Sequence, residues 1–326
     1  MGDPSGIGPE ICALALTQWR RPDVVVGNLG RLEEAAGLLV EAGRLNPGAL
    51  RFRAVDSVAG ARGEAGVVDV LDLANVPASL PWGRLSEDAG RAGYEYLERA
   101  TQLALAGEVG AVCTAPINKE AWRLAGVPYL GHTEALAALC GVDDFAMMLV
   151  NQGLRVIHLS THSSLREAIR LATAERCLAC VRLADGFLRT RLRIARPRIA
   201  VAGINPHAGE HGLLGDEDRD QLLPAVRLAR SDGLDASGPW PPDTVYARAA
   251  QGEFDVVVAA FHDQGHIPIK MIGLDTGVNV TVGLPVARTS VDHGTAFDIA
   301  GTGRARAANL LAALELAHEL AGTPRA

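Results

Sequence analysis

Residues 255–262 read DVVVAAFH, a run of β-branched and small apolar residues that ends in a histidine. Two other stretches repeat the form: residues 155–162, RVIHLSTH, and residues 198–207, RIAVAGINPH. Short runs this rich in Val, Ile and Ala read as buried strands. The intervals between them have room for a helix and a return, so the pattern predicts strands of a mostly parallel sheet in an α/β protein. Ligands bind beyond the carboxyl ends of such strands. Three histidines in equivalent places, His162, His207 and His262, therefore point to one metal ion. Structural zinc sites use short paired spacings, whereas three separated histidines leave an open coordination position that can polarise a substrate oxygen.

The stretch from 261 to 303, FHDQGHIPIKMIGLDTGVNVTVGLPVARTSVDHGTAFDIAGTG, continues from the last of these histidines. It contains Lys270, one of only two lysines among the 31 basic residues; the other is Lys119. Both fall in Gly/Pro/His/Asn-rich segments that read as loops, where a compact ammonium binds an anion or moves a proton. His211 and His266 follow two of the candidate ligands by four residues and read as supporting or surface groups. His158 reads as a strand residue facing the core, and His318 as a solvated position on the closing helix.

At the other end, residues 2–10, GDPSGIGPE, form a glycine loop feeding a helix with Pro9 and Glu10 in its first turn. Such a loop is an anion or cofactor cradle that ordinarily follows a strand, and the sequence given opens on the loop itself. Ser86 reads as the cap of a long helix. Residues 111–119, AVCTAPINK, read as a strand and then a loop. Residues 131–134, GHTE, put His132 and Thr133 just ahead of a helix. Cys177 and Cys180 form a lone C-x-x-C inside a helical apolar pattern and read as buried thiols.

Composition narrows the function. The chain has 326 residues, is 48% hydrophobic and carries a net charge of -7, which argues against nucleic acid as a partner; the arginine run RTRLRIARPR (189–198) resembles a basic patch but reads as a solvated helix end before a strand. No apolar run approaches the length of a membrane span. Five cysteines without a disulfide-like framework suit the cytoplasm.

Taken in order, GDPSGIGPE, TAPINKEA, GHTE, STHSSLR, NPHAGE, GPWPPDT, FHDQGHIPIK and GVNVTVGLPVARTSVDHGTAFDIAG resemble the 4-hydroxythreonine-4-phosphate dehydrogenase (PdxA) family from residue 2 to about residue 305. The resemblance implies a two-lobed α/β/α fold similar to isocitrate and isopropylmalate dehydrogenases, with an active-site cleft between the lobes. It implies a discontinuous cofactor-side lobe, 1–118 with 272–326, and a metal and dimerisation lobe, 119–271. It implies a homodimer whose active site is shared across subunits, NAD as oxidant, and a divalent metal, Zn2+ first and Mg2+ or Co2+ as alternatives. The metal ligands are His162, His207 and His262. Substrate contacts are His132, Thr133, Lys270, Asn279 and Arg288. NAD contacts are His293, Gly294, Thr295, Ala296 and Asp298. The implied reaction is oxidation of a phosphorylated hydroxy acid of the 4-phosphooxy-L-threonine type, with Lys270 or Asp263 as base and decarboxylation of the β-keto acid. TAPINKEA and STHSSLR look closer to the branch acting on D-threonate or D-erythronate 4-phosphate. A further relative oxidises a carboxylated cis-dihydrodiol. From other classes, a non-catalytic metal- and phosphate-binding protein and a metal-dependent hydrolase remain; neither needs the HGTAFDIAG loop.

Overall fold

A computed structural model describes residues 1–19 and 21–322. The described residues pack into two compact units, one made of 1–141 and 286–318, the other of 142–285 with 319–322.

The first unit holds β1 (Val24–Gly27), β2 (Arg51–Ala54), β3 (Val67–Asp72) and β4 (Ala111–Thr114). β3 lies between β1 and β2, parallel to both. The central strand is almost wholly buried: its valines and Leu71 are apolar, as a parallel strand covered on two sides requires, and its one charged residue there, Asp69, accepts from Arg53 Nε at 2.6 Å and the Arg62 amide at 2.8 Å. Ile11, Leu32, Leu39, Val70, Tyr96 and Leu103 form the centre of the core. The longest helix, Glu87–Ala106, starts as the sequence predicts at Ser86, whose Oγ accepts the Ala89 amide, and stops at Gly107 in the left-handed region.

The second unit holds β5 (Ala146–Asn151), β6 (Leu154–His158), β7 (Ile199–Ala202), β8 (Ala236–Trp240), β9 (Val256–Ala259) and β10 (Val278–Val282), in the order β10-β5-β6-β9-β7-β8. From β6 to β8 the pairings are parallel, as expected. The β5–β6 hairpin and the β10–β5 pair are antiparallel. The last strand, β11 (Ala287–Val291), returns to the first unit and pairs parallel with β4.

Several expectations need correction. The three histidine-tipped runs do not end as strands at their histidines: β6, β7 and β9 stop at His158, Ala202 and Ala259, and His162, His207 and His262 follow on the connections beyond. Neither lysine lies in a loop. Lys119 opens the helix Lys119–Leu124, capped by Asn118, and Lys270 lies in the last turn of the helix His262–Ile272. Gly265 and Pro268 make that second segment read as a loop; it is a helix, and Gly265 lets it lie close against β6. His318 is not simply solvated: its Nε2 meets Asp23 Oδ1 at 2.7 Å and its ring packs near Trp19. Cys177 and Cys180 are buried thiols, and burial pushes Cys180 up to about 12. Among the described residues no helix is long and apolar enough to cross a membrane.

Candidate functional site

In the second unit the connections after β6, β7 and β9 carry the imidazoles. Gln264 fixes two of them at their origin: its Oε1 accepts the Ala260 amide at 2.7 Å and its Nε2 donates to Gly203 O at 2.6 Å. Asp218, 1% exposed, accepts the Ile204 and Asn205 amides at 2.7 and 3.0 Å. Beyond that anchor, residues 207–211 all have positive φ, from 42° to 77°. Four of these five are not glycine, and a left-handed turn of L-residues is costly unless its surroundings impose it. The turn presents His207 on the surface.

His262 is the first residue of its helix. Its Nδ1 lies 2.7 Å from Asp263 Oδ1; in the tautomer whose Nδ1–H donates to this carboxylate, Nε2 keeps its lone pair. The His266 ring stacks on it at 3.6 Å and 11°, and His266 Nδ1 bonds the His262 carbonyl at 2.9 Å. The His162 and His262 ring centres are 6.1 Å apart. Among the described residues, no three His, Cys, Asp or Glu side chains converge as a metal-binding group. A groove of about 870 Å³ runs past His207, Asp263, Phe261, Tyr246 and Ile204. Asn279, on β10, has a buried Oδ1 with no hydrogen-bond partner among the described residues. The donor set fits a divalent cation: neutral imidazoles suit zinc, and His262 already has the carboxylate partner that metal-binding histidines use.

In the first unit the glycine loop 2–8 packs on the loop 292–298. Ile7 N donates to Thr295 O at 3.0 Å, and a Cβ on Gly6 would stand 2.8 Å from Thr295 Cβ. Glu10, fully buried, accepts the Gly301 and Gly303 amides at 2.9 and 2.8 Å and so fixes the far end of the loop. Thr295 is buried, His293, Gly294 and Asp298 are exposed, and nothing stands within 4 Å of a Cβ placed on Gly294. An open, glycine-lined edge on a rigid base fits the close approach of a dinucleotide. Glu10 was read from the sequence only as a first-turn carboxylate; its clamp on a loop almost 300 residues away has no local signal.

Arg288 on β11 is 2% exposed; its Nη2 donates to Thr114 Oγ1 at 2.7 Å, and burial pulls its pKa down to about 10, still charged at neutral pH. His132 and Thr133 open the helix His132–Cys140, whose cap residue Gly131 offers no side chain. Burial first, then the nearby Arg288 and Lys119 charges, hold His132 well below the usual imidazole range, so it is neutral. A buried guanidinium beside an uncapped helix start is suited to a phosphate or carboxylate.

Asp3 gives a pH-dependent consequence. It is 1% exposed, its Oδ1 accepts the Ser5 amide at 2.8 Å, and burial pushes its carboxyl up to about 6. An unfolded aspartate titrates near 3.9. Between roughly pH 4 and 6 the folded chain keeps a proton that the unfolded chain has lost, so stability falls as pH rises through that window. Asp3→Asn removes this linkage. Between pH 4 and 7, urea unfolding should show the variant gaining on the unsubstituted chain by up to about 3 kcal/mol. A pH-independent difference would contradict the assignment.

These features define a two-unit α/β protein, and proteins similar to it are named as dehydrogenases. The chain is 48% identical to a D-threonate 4-phosphate dehydrogenase of Salmonella typhimurium, over 98% of this chain and 97% of the other. It is also 48% identical to a 4-hydroxythreonine-4-phosphate dehydrogenase of Beijerinckia indica, over 98% and 93%. The crystal structure of a 4-hydroxythreonine-4-phosphate dehydrogenase from Klebsiella pneumoniae superposes with a TM-score of 0.91 at 45% identity, covering 98% of each chain. The chain belongs to the PdxA family, pyridoxal phosphate biosynthetic protein PdxA, whose model matches residues 19–317.

Proposed function

We propose that the chain is an NAD- and divalent-metal-dependent dehydrogenase of a four-carbon hydroxy acid bearing a terminal phosphate. The observation that carries this reading is the buried Arg288, charged at neutral pH, whose charge acts on His132 at the uncapped start of the helix His132–Cys140. Arg288, His132 and Thr133 hold the phosphate, and Asn279 Oδ1 accepts a hydrogen bond from a substrate hydroxyl. Lys270 or Asp263 takes the proton of the hydroxyl being oxidised. His293, Gly294, Thr295, Ala296 and Asp298 hold NAD, the hydride acceptor. His162, His207 and His262 would hold a divalent cation, Zn2+ by donor type, and its chemistry there is Lewis-acid polarisation of a substrate oxygen. When the oxidised carbon lies β to the carboxylate, the product is a β-keto acid that loses CO2. The protein works as a cytoplasmic homodimer, with the ligand set completed across subunits. In support of a shared cation, the His162 and His262 rings lie 6.1 Å apart.

Both substrate names occur among relatives at the same identity, so identity does not separate them. The TAPINKEA and STHSSLR blocks favour D-threonate 4-phosphate. A panel of phosphorylated four-carbon acids, followed by NADH formation, tests this: D-threonate 4-phosphate should give the highest kcat/KM. A higher value for 4-phosphooxy-L-threonine would reverse the assignment. A chain that binds no NAD in calorimetry would be a binding protein or hydrolase instead.

A further inference from the structure

Lys119 is one of two lysines in a chain whose other basic residues are arginines. It stands at the first position of a short helix whose Asn118 cap accepts the Glu120 and Ala121 amides at 2.9 and 3.0 Å. Trp122, one turn on and on the same face, is 1% exposed and packs edge-on against the His132 ring at 5.6 Å. The Lys119 side chain runs along Gly131: its Cε and Nζ lie 3.4 and 4.0 Å from the point where a Cβ on Gly131 would stand. Glu134 Oε2 is 3.5 Å from the same point, yet no ion pair joins it to Lys119 among the described residues. The Lys119 charge is close enough to help depress His132. The ammonium is thus exposed, held beside the start of the helix that carries His132 and Thr133, and without an anionic partner among the described residues.

We infer that Lys119 is a substrate-binding residue, the second cation for the terminal phosphate, and that it sets the preference for a phosphorylated over an unphosphorylated hydroxy acid. The inference rests on the reading above in which His132, Thr133 and Arg288 hold that phosphate. A phosphate dianion presents three oxygens. The buried Arg288 supplies a directional fork from the strand side, and a flexible lysine reaches the solvent side as a point charge. Gly131 carries no side chain between Lys119 and the helix start, and a Cβ there would already be in van der Waals contact with Lys119 Cε.

The test uses the full-length enzyme and three variants: Lys119→Met, Lys119→Arg and Thr133→Val. Lys119→Met should raise KM for the phosphorylated substrate at least tenfold, the effect of losing one charge-assisted hydrogen bond, with kcat within about twofold. The inhibition constant of inorganic phosphate should rise by a similar factor, KM for NAD should not move, and Lys119→Arg should recover most of the loss. If Thr133→Val weakens phosphate inhibition and Lys119→Met does not, the role of Lys119 is overturned while the anion pocket stands. If neither variant affects phosphate, the pocket itself is misassigned. Lys119 is exposed, so loss of folding does not compete as an explanation.

Discussion

Gly265→Ala is expected to destabilise the chain by about 3 kcal/mol and to cost it metal affinity. A Cβ on Gly265 would stand 2.3 Å from His158 Nε2, 2.8 Å from Val156 Cγ1 and 3.0 Å from His158 Cδ2. His158 is 1% exposed and Val156 fully buried, both on β6, so neither has space to retreat. The helix His262–Ile272 must lift off the strand, and overpacking of this kind costs roughly 1–3 kcal/mol or more. Because His262 is the first residue of that helix, the lift also moves a proposed ligand. Urea unfolding and zinc titration read the two effects separately. Gly186→Ala is the control: it lies within the helix Ala174–Arg191 with nothing within 4 Å, and should be neutral or stabilising by up to about 1 kcal/mol. Equal behaviour of the two variants would show that helix and strand are not in the close contact described.

The largest effect on activity is expected from His207→Asn. Asparagine is chosen over alanine because His207 has φ 53°, a conformation Asn adopts at little cost. The backbone turn and the Asp218 anchor should therefore survive while the imidazole is lost. If His207 is a metal ligand, the variant should retain no zinc after dialysis, and NADH formation should fall about a thousandfold or more, the equivalent of ~4 kcal/mol of lost stabilisation. NADH formation at the unsubstituted rate, without bound metal, would remove His207 from the site.

What the sequence revealed and what it hid follow from range. The buried parallel strands were legible because VVVA at 256–259 and IAVA at 199–202 have no polar face, and their common histidine tips pointed to one edge of a sheet. The antiparallel β10–β5 pair was not foreseen, although the alternation in VNVTV carried the signal. The helix from His262 was obscured by the very residue that seats it, since a glycine needed for close approach looks locally like a helix breaker. The clamps formed by Glu10, Asp218 and Gln264 were invisible: each is a polar side chain satisfying backbone amides or carbonyls brought near only by folding. The left-handed turn at 207–211 was equally hidden, because four of its residues carry side chains that ordinarily avoid it.

The most direct test of the central claim is NADH formation by the full-length chain given D-threonate 4-phosphate and NAD, before and after treatment with a chelator. NADH should form, the chelator should abolish its formation and added Zn2+ should restore it. NADH formation that persists in the fully metal-depleted protein, or none from any phosphorylated four-carbon hydroxy acid with metal present, would contradict it.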